Sequence, residues 1–461
     1  MTRYSLTICA SDYDRLREHL GSVPEIEQAA YLVCRVARSE PETCLLVREV
    51  IPVLADDIVE ADADHMIIRS RSFTRAMKQA NDQRACFVFA HSHPNGYRDH
   101  SPADDETEVS LFRTAYIRIR TPGVHGSLAF TPSGLSAARV WLPDGTTAPL
   151  ERARIVGDRL RYWFPTGPRE AVPEFFDRQV RAFGSDIQVL LGRLRIGVVG
   201  AGGTGSCVAE QLIRLGVGSL VIADGERFER SNVNRVYGSR AIDDEIAKVE
   251  LIERLAADIG LNTKVRIIDR PISYRSVLEE FRHCDAIFGC TDDEWGRSLL
   301  TKLAIYYCVP VFDMGVRIDS NDGTIRSIQG RVTTLLPGTA CLFCRGRISV
   351  QRIRAESLSA TNPQQAAALI EEGYIPELGD PAPSVIPFTT TIAASAISEF
   401  LHRLTGFLGQ DRKSSEVLHL MEDTRVRTNH RPPNEECFCG DRTYWARGDV
   451  EPFLDTTWRS E

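Results

Sequence analysis

The sequence predicts an α/β protein with two domains, and three observations support this prediction. The chain has 461 residues, which is more than a single hydrophobic core usually organises. From Arg195 a strand, a glycine-rich turn, a helix and a second strand follow one another, which is the pattern of a parallel sheet. Before residue 150, short apolar runs alternate with turn residues, which favours a mixed sheet packed with helices.

Four segments within the first 150 residues have a predicted secondary structure. Residues 25–36 carry apolar side chains at helical spacing and predict a helix. Residues 44–53 and 86–91 predict strands, and the second is buried because its run is continuously apolar. Residues 125–145 predict two strands with a Pro-Ser-Gly turn between them. The proline and glycine residues of the next segment, 151–172, predict a linker between the domains.

Beyond this linker the sequence predicts a parallel sheet with helices. Four continuously apolar segments predict buried strands, at residues 195–200, 219–224, 284–291 and 309–316. Helices are predicted at residues 206–217 and 383–406, and a loop rich in proline and glycine is predicted at residues 345–385. These elements define a second domain over residues 173–440, followed by a C-terminal tail over 441–461.

The composition argues against several classes of protein. The net charge of −8 disfavours nucleic acid or an anionic membrane as the main partner. No run approaches the roughly eighteen apolar residues that a membrane-spanning helix needs, and the N-terminus lacks a signal-peptide pattern. The twelve cysteines are scattered apart from two close pairs, which indicates a reducing, cytoplasmic location and a bound metal.

The most informative motif is His91-Ser92-His93, followed by Ser101 and Asp104. Residues i and i+2 at the end of a strand point to the same side, so both imidazoles can bind one ion. A serine followed by a proline is typical of a helix start, which brings Asp104 back toward the histidines. Two histidines and one carboxylate leave a fourth position for water, as in a catalytic zinc site. A further carboxylate is then needed as general base.

This motif resembles that of the JAMM (JAB/MPN+) zinc metalloproteases, which remove or trim ubiquitin-like proteins. The resemblance covers residues 1–150 and implies that the three ligands bind a catalytic Zn²⁺. It also implies that Glu27, in a Glu-x-x-small-x-Leu pattern on the first helix, activates the attacking water. Glu25 competes with Glu27 for this role. Ser101 would donate a hydrogen bond to the tetrahedral oxyanion.

A second motif, Gly200-Ala201-Gly202-Gly203-Thr204-Gly205, lies between a predicted strand and a predicted helix. The backbone amides of such a turn, together with the helix N-terminus, form a site for phosphate. Asp224, at the end of the next strand, is placed to bind a ribose hydroxyl. An NAD-dependent dehydrogenase would have the same features, so this motif alone does not separate it from an ATP-dependent enzyme.

Residues on either side of this motif favour an adenylating enzyme. A Ser231-Asn232-x-Asn234-Arg235 block precedes Lys248 and a later Thr291-Asp292, and Arg178 lies upstream of the glycine turn. A dehydrogenase transfers hydride and does not need to neutralise a triphosphate. An adenylating enzyme needs such cationic residues, because a carboxylate attacks the α-phosphorus of ATP. The glycine turn and the residues after it match in order those of the ThiF/MoeB and E1-like ubiquitin-activating superfamily. The chain resembles this superfamily over residues 173–440.

This second resemblance implies ligands and residue roles. It implies that the domain binds ATP and Mg²⁺, with Asp224 on the ribose and Asp292 on the metal. The residues implied to contact the phosphates are Asn232, Arg235 and Lys248. In homodimeric relatives an arginine that matches Arg178 reaches into the partner's active site, so the resemblance also implies a homodimer through the adenylation domain.

Two cysteine pairs follow the structural zinc site of the same superfamily. They are Cys341-x-x-Cys344 and Cys437-x-Cys439. Four thiolates form a closed tetrahedral site for Zn²⁺. The second pair in the superfamily has two intervening residues, and this chain has one, so it departs from the pattern there.

The thiol that carries a thioester in many ubiquitin-activating relatives has no counterpart here. Residues 345–385 follow the first cysteine pair and contain no cysteine. Three alternatives remain: direct transfer of the activated tail to a partner's thiol, use of Cys207 or another remaining cysteine, or an oxyester on a loop hydroxyl such as Ser357 or Ser359. Cys207 lies on the predicted helix after the glycine turn, where packing explains it better than a catalytic role.

Together the two resemblances predict a bifunctional enzyme. One domain adenylates the C-terminal glycine of a ubiquitin-like protein, and the other cleaves a peptide or isopeptide bond at that tail. The pairing implies a bacterial conjugation system, with an E2-like carrier as a further partner and antiphage defence as a setting. The alternatives are activation of a sulfur carrier for thiamin, molybdopterin or cysteine synthesis, and a Rossmann dehydrogenase with a zinc module.

Overall fold

The computed structural model describes residues 2–121, 123–165, 171–377 and 383–460, which divide into two compact units. The first unit comprises the chain up to residue 168 together with the short segments 306–308 and 445–450. The second unit comprises the remainder. Each unit contains one large β-sheet.

The sheet of the first unit has eight strands and is flanked by helices. The strands of this unit are β1 (Arg3–Cys9), β2 (Ala29–Ser39), β3 (Glu42–Pro52), β4 (Ile58–Ala61), β5 (Met66–Ile68), β6 (Cys86–Ser92), β7 (His125–Thr131), β8 (Gly134–Trp141), β9 (Thr147–Val156) and β10 (Arg161–Trp163). The helices are α1 (Ala10–Leu20), α2 (Ser70–Asp82) and α3 (Pro102–Arg118). The strand order is β1-β3-β2-β6-β7-β8-β9-β10, while β4 and β5 form a separate hairpin. Because β1 also pairs with β9, the sheet closes on itself.

The two faces of this sheet bury different cores because side chains alternate along each strand. Tyr31 on β2 and Phe87 on β6 pack with residues of α2 and α3. Their neighbours Leu32 and Val88 belong to the core on the opposite face, which includes residues of α1. Along β6 this alternation continues two residues at a time from Phe87 to His91, so the His91 side chain emerges on the face covered by α3.

The prediction of a helix at residues 25–36 is wrong. Residues 29–39 form β2, which pairs with β3 and β6, and residues 25–28 form a turn and an irregular segment before it. The first six residues of β2 are all buried, and a short apolar run does not distinguish a buried strand from a buried helix. The strands predicted at 44–53, 86–91 and 125–145 are confirmed by β3, by β6 and by the pair β7 and β8.

The prediction of a linker over residues 151–172 is wrong for residues 151–163, which include strand residues. Strand β9 runs to Val156, and β10 pairs with it in antiparallel fashion, so the sheet extends past residue 150. Residues 166–170 of this segment lie outside the described residues. The domain boundary expected at residue 150 therefore falls inside a strand.

The sheet of the second unit has five parallel strands followed by three antiparallel ones. The strands are β11 (Arg195–Val199), β12 (Ser219–Ala223), β13 (Lys264–Ile268), β14 (Ala286–Gly289), β15 (Val311–Asn321), β16 (Thr324–Leu335), β17 (Glu416–Leu420) and β18 (Arg425–Asn429). The helices are α4 (Asp177–Phe183), α5 (Ser185–Arg193), α6 (Gly203–Leu215), α7 (Lys248–Ile259), α8 (Arg275–Phe281), α9 (Glu294–Tyr306), α10 (Val350–Thr361), α11 (Pro363–Glu371) and α12 (Ile386–Thr405). The order is β13-β12-β11-β14-β15-β16-β17-β18. The strand order reverses between β11 and β14, and sheets of this type bind ligands at the carboxyl ends of the strands beside such a switch point.

The strands and helices predicted for the second unit are confirmed, but the long loop is not. The four predicted strands are β11, β12, β14 and β15, and the two predicted helices are α6 and α12. Within residues 345–385 the chain forms α10 and α11, whose first turns are capped by the side chains of Ser349 and Asn362. Residues 378–382 lie outside the described residues. The loop prediction rests on the prolines and glycines of this segment, but a proline is also well placed in the first turn of a helix, where Pro363 begins α11.

Residues 441–461 are not merely an extended tail. Segment 445–450 belongs to the first unit, and Phe453 and Leu454 are buried in a short 3₁₀ turn. In the part of the chain that the structure describes, no helix is long and apolar enough to cross a membrane.

Candidate functional site

The first candidate site is a cluster of His91, His93 and Asp104 in the first unit. The Nε2 atoms of the two histidines are 3.0 Å apart, and each lies 3.2 Å from one oxygen of the Asp104 carboxylate. Both histidines are buried, and the carboxylate is partly exposed. Ligand atoms about 2.0–2.1 Å from a tetrahedral centre lie roughly 3.3–3.4 Å apart. The three side chains therefore fit a shared zinc ion with only a small adjustment.

The first turn of α3 positions Asp104. The Ser101 Oγ accepts a hydrogen bond from the Asp104 backbone N at 3.1 Å, and Asp104 Oδ2 accepts one from the Ser101 N at 2.6 Å. Pro102 begins the helix, where its missing N–H has no intrahelical partner to lose. The helix start predicted at Ser101 and Pro102 is confirmed, and this capping box holds the carboxylate toward the histidines.

A backbone contact orients His93. Its Nδ1 donates to the carbonyl oxygen of Tyr97 at 2.9 Å, which leaves Nε2 free to act as a ligand. Burial would raise the pKa of Asp104, but the hydrogen bonds from His91 and His93 outweigh it and lower that pKa. The cluster thus accommodates positive charge next to the carboxylate, as a site for Zn²⁺ requires.

Glu27 lies beside this cluster, in the irregular segment before β2 rather than on a helix. Its residue is only 6% exposed, whereas Glu25 is exposed to solvent. Burial raises the pKa of Glu27 from 4.5 to about 7, although the charges of His91 and His93 act in the opposite direction. A carboxyl group with a pKa near neutrality is suited to take up and release a proton. This arrangement favours Glu27 over Glu25 as a general base.

Ser92 attaches the Glu27 segment to the strand that carries the histidines. Its Oγ accepts a hydrogen bond from the Gln28 N at 2.9 Å, and its own N donates to the Gln28 carbonyl at 2.9 Å. The central residue of the His-x-His motif therefore positions the residue next to Glu27.

A cavity of about 180 Å³ lies beside this cluster, and His91 and Asp104 are among the residues that line it. Glu27 and further residues of α3 also line the cavity. The cavity leaves room for water and substrate next to two of the three ligands. This is the property that separates a catalytic metal site from a structural one.

The second candidate site is the glycine turn between β11 and α6. Gly200 has a φ of +95°, and a Cβ there would lie 2.8 Å from the carbonyl oxygen of Cys290. A Cβ on Gly205 would lie 1.8 Å from the Gly200 carbonyl oxygen. Both positions therefore require glycine, which lets the turn pack against the segment after β14. Helix α6 is preceded by Gly202 and begins at Gly203, so its unpaired amides lie at the switch point of the sheet.

Asp224 follows β12 and is joined to the glycine turn. Its Oδ2 accepts a hydrogen bond from the Ala201 N at 2.6 Å, and its Oδ1 accepts one from the Glu226 N at 2.8 Å. Burial raises the pKa of this carboxyl group. The structure thus places Asp224 beside the turn, and each oxygen keeps a lone pair for a ribose hydroxyl.

Of the three residues implied to contact phosphates, Arg235 packs directly on this turn, whereas Lys248 and Asn232 contact other residues. A Cβ on Gly203 would lie 3.3–3.4 Å from the aliphatic carbons of Arg235, so the Arg235 side chain packs over the start of α6. Lys248 is the first residue of α7, and its mostly buried ammonium group forms an ion pair with Glu226. Asn232 is buried in a 3₁₀ turn, where its side chain caps the backbone N of Glu229 at 3.4 Å.

Asp292 and Arg178 are both exposed. The residues just before Asp292 touch the glycine turn, since a Cβ on Gly200 would lie 3.1 Å from the Thr291 N. Arg178 lies on α4, and within the described part of the chain no hydrogen bond or ion pair joins it to the turn. Its predicted role in a partner's site stays a prediction.

The four cysteines of the predicted zinc clip come together in the second unit. The Sγ atoms of Cys341 and Cys344 are 3.9 Å apart, and the contacts Cys341–Cys437 and Cys344–Cys439 are both 3.6 Å. Sulfur atoms about 2.3 Å from a tetrahedral zinc ion lie roughly 3.8 Å apart, so the cluster fits that ion. The hydrogen bonds of Cys341 and Cys437 raise the pKa of Cys439, so this cluster needs a cation for all its thiols to ionise. The shorter Cys-x-Cys spacing does not prevent the four thiols from meeting.

The structure disfavours all three residues considered for a covalent intermediate on this chain. Cys207 is buried on α6, and this burial raises its pKa, which reduces its reactivity. Ser357 and Ser359 lie on α10 rather than in a loop, and the Ser357 Oγ donates to the Arg354 carbonyl.

One charged cluster near the switch point was not predicted. Asp313 on β15 is fully buried and accepts a hydrogen bond from Arg331 on β16. Arg297 on α9 lies 3.5 Å from the same carboxylate and donates to the Thr291 carbonyl at 3.1 Å, which fixes the segment before Asp292. An aspartate inside the apolar run VPVFDMGV was the available signal, because a buried carboxylate needs cationic partners.

A parallel sheet with this strand order and a glycine turn at its switch point defines a Rossmann-like nucleotide-binding protein. The chain belongs to the ThiF family, which matches residues 176–439. This match does not extend to the metal triad of the first unit.

The chain is also similar to individual proteins of known name. It is 30% identical over 158 residues to the SAMP-activating enzyme E1 of Haloferax volcanii, which is 33% of this chain and 54% of that protein. It is 29% identical over 160 residues to the sulfur carrier protein ThiS adenylyltransferase of Bacillus subtilis, which is 34% of this chain and 45% of that one. The chain thus spans about half the length of these relatives. A crystal structure of E. coli MccB with ATP matches 59% of this chain and 76% of that one, at 17% identity and a TM-score of 0.45.

Proposed function

We propose that this protein is a bifunctional enzyme that acts on the C-terminal tail of a ubiquitin-like protein. The second unit adenylates the terminal glycine carboxylate with Mg·ATP, and the first unit is a JAMM-type zinc peptidase that cleaves a peptide or isopeptide bond at that tail. The observation that carries the proposal is the presence of two complete sets of side chains on one chain. These are three potential zinc ligands beside Glu27, and a glycine turn joined to Asp224 in a ThiF-family unit.

For adenylation, the glycine turn and the start of α6 would bind the phosphates while Asp224 holds the ribose. The tail carboxylate attacks the α-phosphorus, the bond to the β-phosphate oxygen breaks, and pyrophosphate leaves. Arg235 and Lys248 would stabilise the charge that this step develops, and Asp292 would hold Mg²⁺. Because Lys248 is paired with Glu226, the incoming phosphates must compete with that carboxylate.

For cleavage, His91, His93 and Asp104 would hold the zinc ion. When bound, zinc lowers the pKa of a water molecule and polarises the scissile carbonyl. Glu27 would accept a proton from the attacking water and deliver it to the leaving amine. The Ser101 Oγ accepts from the helix backbone, so its own hydrogen remains available to donate to the oxyanion.

A sulfur-carrier protein is a second candidate substrate. Residues 345–385 contain no cysteine, and the thiol of Cys207 is buried. An enzyme without its own thioester cysteine is compatible with an adenylate that passes either to the thiol of an E2-like carrier or to a sulfur donor. The two products differ, because one is a covalent conjugate and the other is a thiocarboxylate.

The proposal is tested with the purified full chain and small proteins that end in glycine. We expect ATP–pyrophosphate exchange that depends on the terminal carboxylate, and cleavage of the same protein when it carries a C-terminal extension. Asp292→Ala should abolish exchange and spare cleavage, and Asp104→Ala should do the reverse, so each variant controls for the folding of the other unit. NAD-linked reduction without any exchange would overturn the adenylation half, and unchanged cleavage by Asp104→Ala would overturn the peptidase half.

The role proposed for Arg178 in a homodimer needs its own test. Arg178→Ala and Asp292→Ala homodimers should each be inactive in pyrophosphate exchange. If Arg178 acts in the partner's site, a mixed dimer contains one site with an intact Asp292 and an intact Arg178 from the other subunit. Mixing the two variants should then restore part of the exchange activity. No recovery in a mixture that contains verified mixed dimers would contradict the role.

A further inference from the structure

Glu108 is a buried carboxylate on the helix that carries the metal ligand Asp104. The residue is fully buried, with a relative exposure of 0%. It lies four residues after Asp104 on α3, so both side chains project from the same face, about 6 Å apart at their Cβ atoms. A buried carboxylate so close to the proposed reaction centre requires a reason, because burying a charge is costly unless it is fully paired.

One oxygen of Glu108 is saturated with donors. Its Oε2 accepts hydrogen bonds from the Ser127 Oγ at 2.8 Å, from Trp141 Nε1 at 2.8 Å, and from Arg139 Nε and Nη2 at 3.0 and 2.7 Å. The other oxygen, Oε1, is buried and has no hydrogen-bond partner among the described residues. The network therefore holds the carboxylate in one orientation and leaves the second oxygen without a partner inside the described part of the protein.

Glu108 lines the cavity beside the metal triad. The cavity measures about 180 Å³, whereas a single water needs only about 10–15 Å³ by this measure. Its walls include the apolar side chains of Phe73, Phe89 and Leu111. The space is large enough for a side chain of several heavy atoms with an aliphatic stem.

In the metal-free protein, the ionisable side chains that line this cavity are mainly carboxyl groups. Its lining includes four carboxylates, those of Glu27, Asp64, Asp104 and Glu108, and among the described residues it includes no lysine or arginine. The single positive charge of Arg139 is shared between Glu108 and Asp105, because Arg139 forms an ion pair with each of them. Asp105, Glu108 and Arg139 together keep one negative charge, so the cavity favours a cationic group over a neutral one.

We propose that this cavity is a specificity pocket for a lysine or arginine side chain of the peptidase substrate, with Glu108 Oε1 accepting a hydrogen bond from its charged end. This pocket would set the substrate preference of the proposed peptidase, so the proposal rests on that function. The aliphatic stem of the substrate residue would lie against Phe89 and Leu111. Since Glu108 is one helical turn from Asp104, the basic residue would be close to the cleaved bond. Glu108 is a specificity-determining residue here and takes no part in the chemical step.

The first experiment measures binding without catalysis. Metal-free full-length protein is titrated with n-butylammonium and with n-butanol, and binding is followed by calorimetry and by the change in melting temperature. We expect n-butylammonium to bind at least about tenfold more tightly than n-butanol, because a charge-assisted hydrogen bond is worth roughly 1.5–3 kcal/mol. The difference should disappear in Glu108→Gln and persist in Glu106→Gln, a matched change at an exposed position of the same helix.

The second experiment measures substrate choice. The zinc-loaded protein is given tail peptides that carry lysine, norleucine or glutamate at each position beside the cleaved bond. We expect lysine to exceed norleucine at least about tenfold in kcat/KM at one of these positions, and Glu108→Gln to reduce this ratio to about one. The zinc content and melting temperature of Glu108→Gln establish that it is folded. If Glu108→Gln does not fold, the wild-type protein still tests the pocket, through its lysine-to-norleucine ratio in kcat/KM and its preference for n-butylammonium over n-butanol.

The outcomes separate this proposal from the one it rests on. Cleavage without any lysine preference, together with equal binding of the two probes, would overturn the pocket and leave the peptidase intact. Selective n-butylammonium binding without cleavage of any peptide would support a cation pocket and overturn the peptidase. A crystal structure in which Glu108 Oε1 contacts only water at high n-butylammonium concentration would also overturn the pocket.

Discussion

The two candidate metal centres of this protein differ in the number of ligands and in their access to substrate. The four-cysteine cluster has four thiols, of which Cys341, Cys344 and Cys439 are buried. The triad of His91, His93 and Asp104 offers three ligands, and a cavity lies beside it. A complete tetrahedral set holds a metal for structure, whereas a set with a vacant position lets the metal act on a substrate.

The two centres also differ in how the chain builds them. The cysteine cluster joins turns that lie 96 residues apart, so a bound metal would close a long loop. The triad spans fourteen residues, from a strand end to the first turn of the next helix. Closing a long loop restricts the unfolded chain much more than closing a short one. We therefore expect loss of metal from the cysteine cluster to lower the stability of the protein, and loss of metal from the triad to remove the chemistry.

The largest expected effect is that of Cys439→Ser on the stability of the second unit. Structural zinc contributes on the order of 10 kcal/mol of binding free energy to small zinc domains. Loss of one thiolate should remove most of this, halve the zinc content of the full chain, and eliminate pyrophosphate exchange through unfolding. Elemental analysis and thermal unfolding check the result.

The matched control for this variant is Cys207→Ser, which changes another buried thiol of the same unit. It should keep both zinc ions and cost only about 1–2 kcal/mol. A Cys439→Ser protein with full zinc content and an unchanged melting temperature would show that the cluster does not bind structural zinc. Loss of exchange in a stable Cys207→Ser protein would instead revive Cys207 as a functional residue.

The next largest effect is that of Glu27→Gln on tail cleavage. Removing the general base should lower kcat by about 10²–10⁴-fold while leaving zinc content and pyrophosphate exchange unchanged. Glu25→Gln is the control, because Glu25 is exposed two residues away and should retain full activity. Equal losses in the two variants would mean that the segment matters only for folding, and a loss in Glu25→Gln alone would reverse the assignment.

A smaller effect concerns the pH dependence of the metal-free protein. Burial raises the pKa of Glu27 to about 7 in the folded state, against 4.5 for the unfolded chain. The folded state then binds the extra proton between these values, so this contribution to stability is complete below pH 4.5 and is lost as the pH rises through 7. Its upper limit is about 3 kcal/mol, since one pKa unit corresponds to about 1.4 kcal/mol.

Urea unfolding of the metal-free protein at pH 4.5 and pH 8 checks this expectation. The wild type should lose more stability than Glu27→Gln between these pH values, because the amide does not titrate. Added zinc should reduce the difference, since its charge favours the ionised carboxylate. Identical pH dependence of the two metal-free proteins would contradict the burial of an ionisable Glu27 next to the triad.

The parts of this structure that could be predicted from sequence are local in the chain. The strand–turn–helix order from Arg195 and the helix start at Ser101 each occupy a few consecutive residues. Their patterns are therefore visible without any knowledge of distant contacts. The same holds for the His-x-His spacing, because strand alternation alone puts both side chains on one face.

The parts that could not be predicted depend on tertiary contacts. Residues 29–39 form a central strand because neighbours on both sides bury it, and their apolar run alone suits a helix as well. The network that orients Glu108 joins α3 to Arg139 and Trp141, more than 30 residues away. No local pattern marks such a network, so the pocket beside the triad emerged only from the fold.

The smallest expected effect separates two roles of Ser101. Its Oγ caps α3 by accepting a hydrogen bond from the Asp104 N, and the proposed chemistry also uses its hydrogen toward the oxyanion. Ser101→Ala should cost about 1 kcal/mol of stability through loss of the cap, whereas glycine at an N-cap costs only a few tenths. Both changes remove the hydroxyl, so an oxyanion role predicts that both lower kcat by about 10²–10³-fold. If Ser101→Gly keeps its rate while Ser101→Ala loses it, the serine acts only by holding Asp104, and the triad needs a different oxyanion donor.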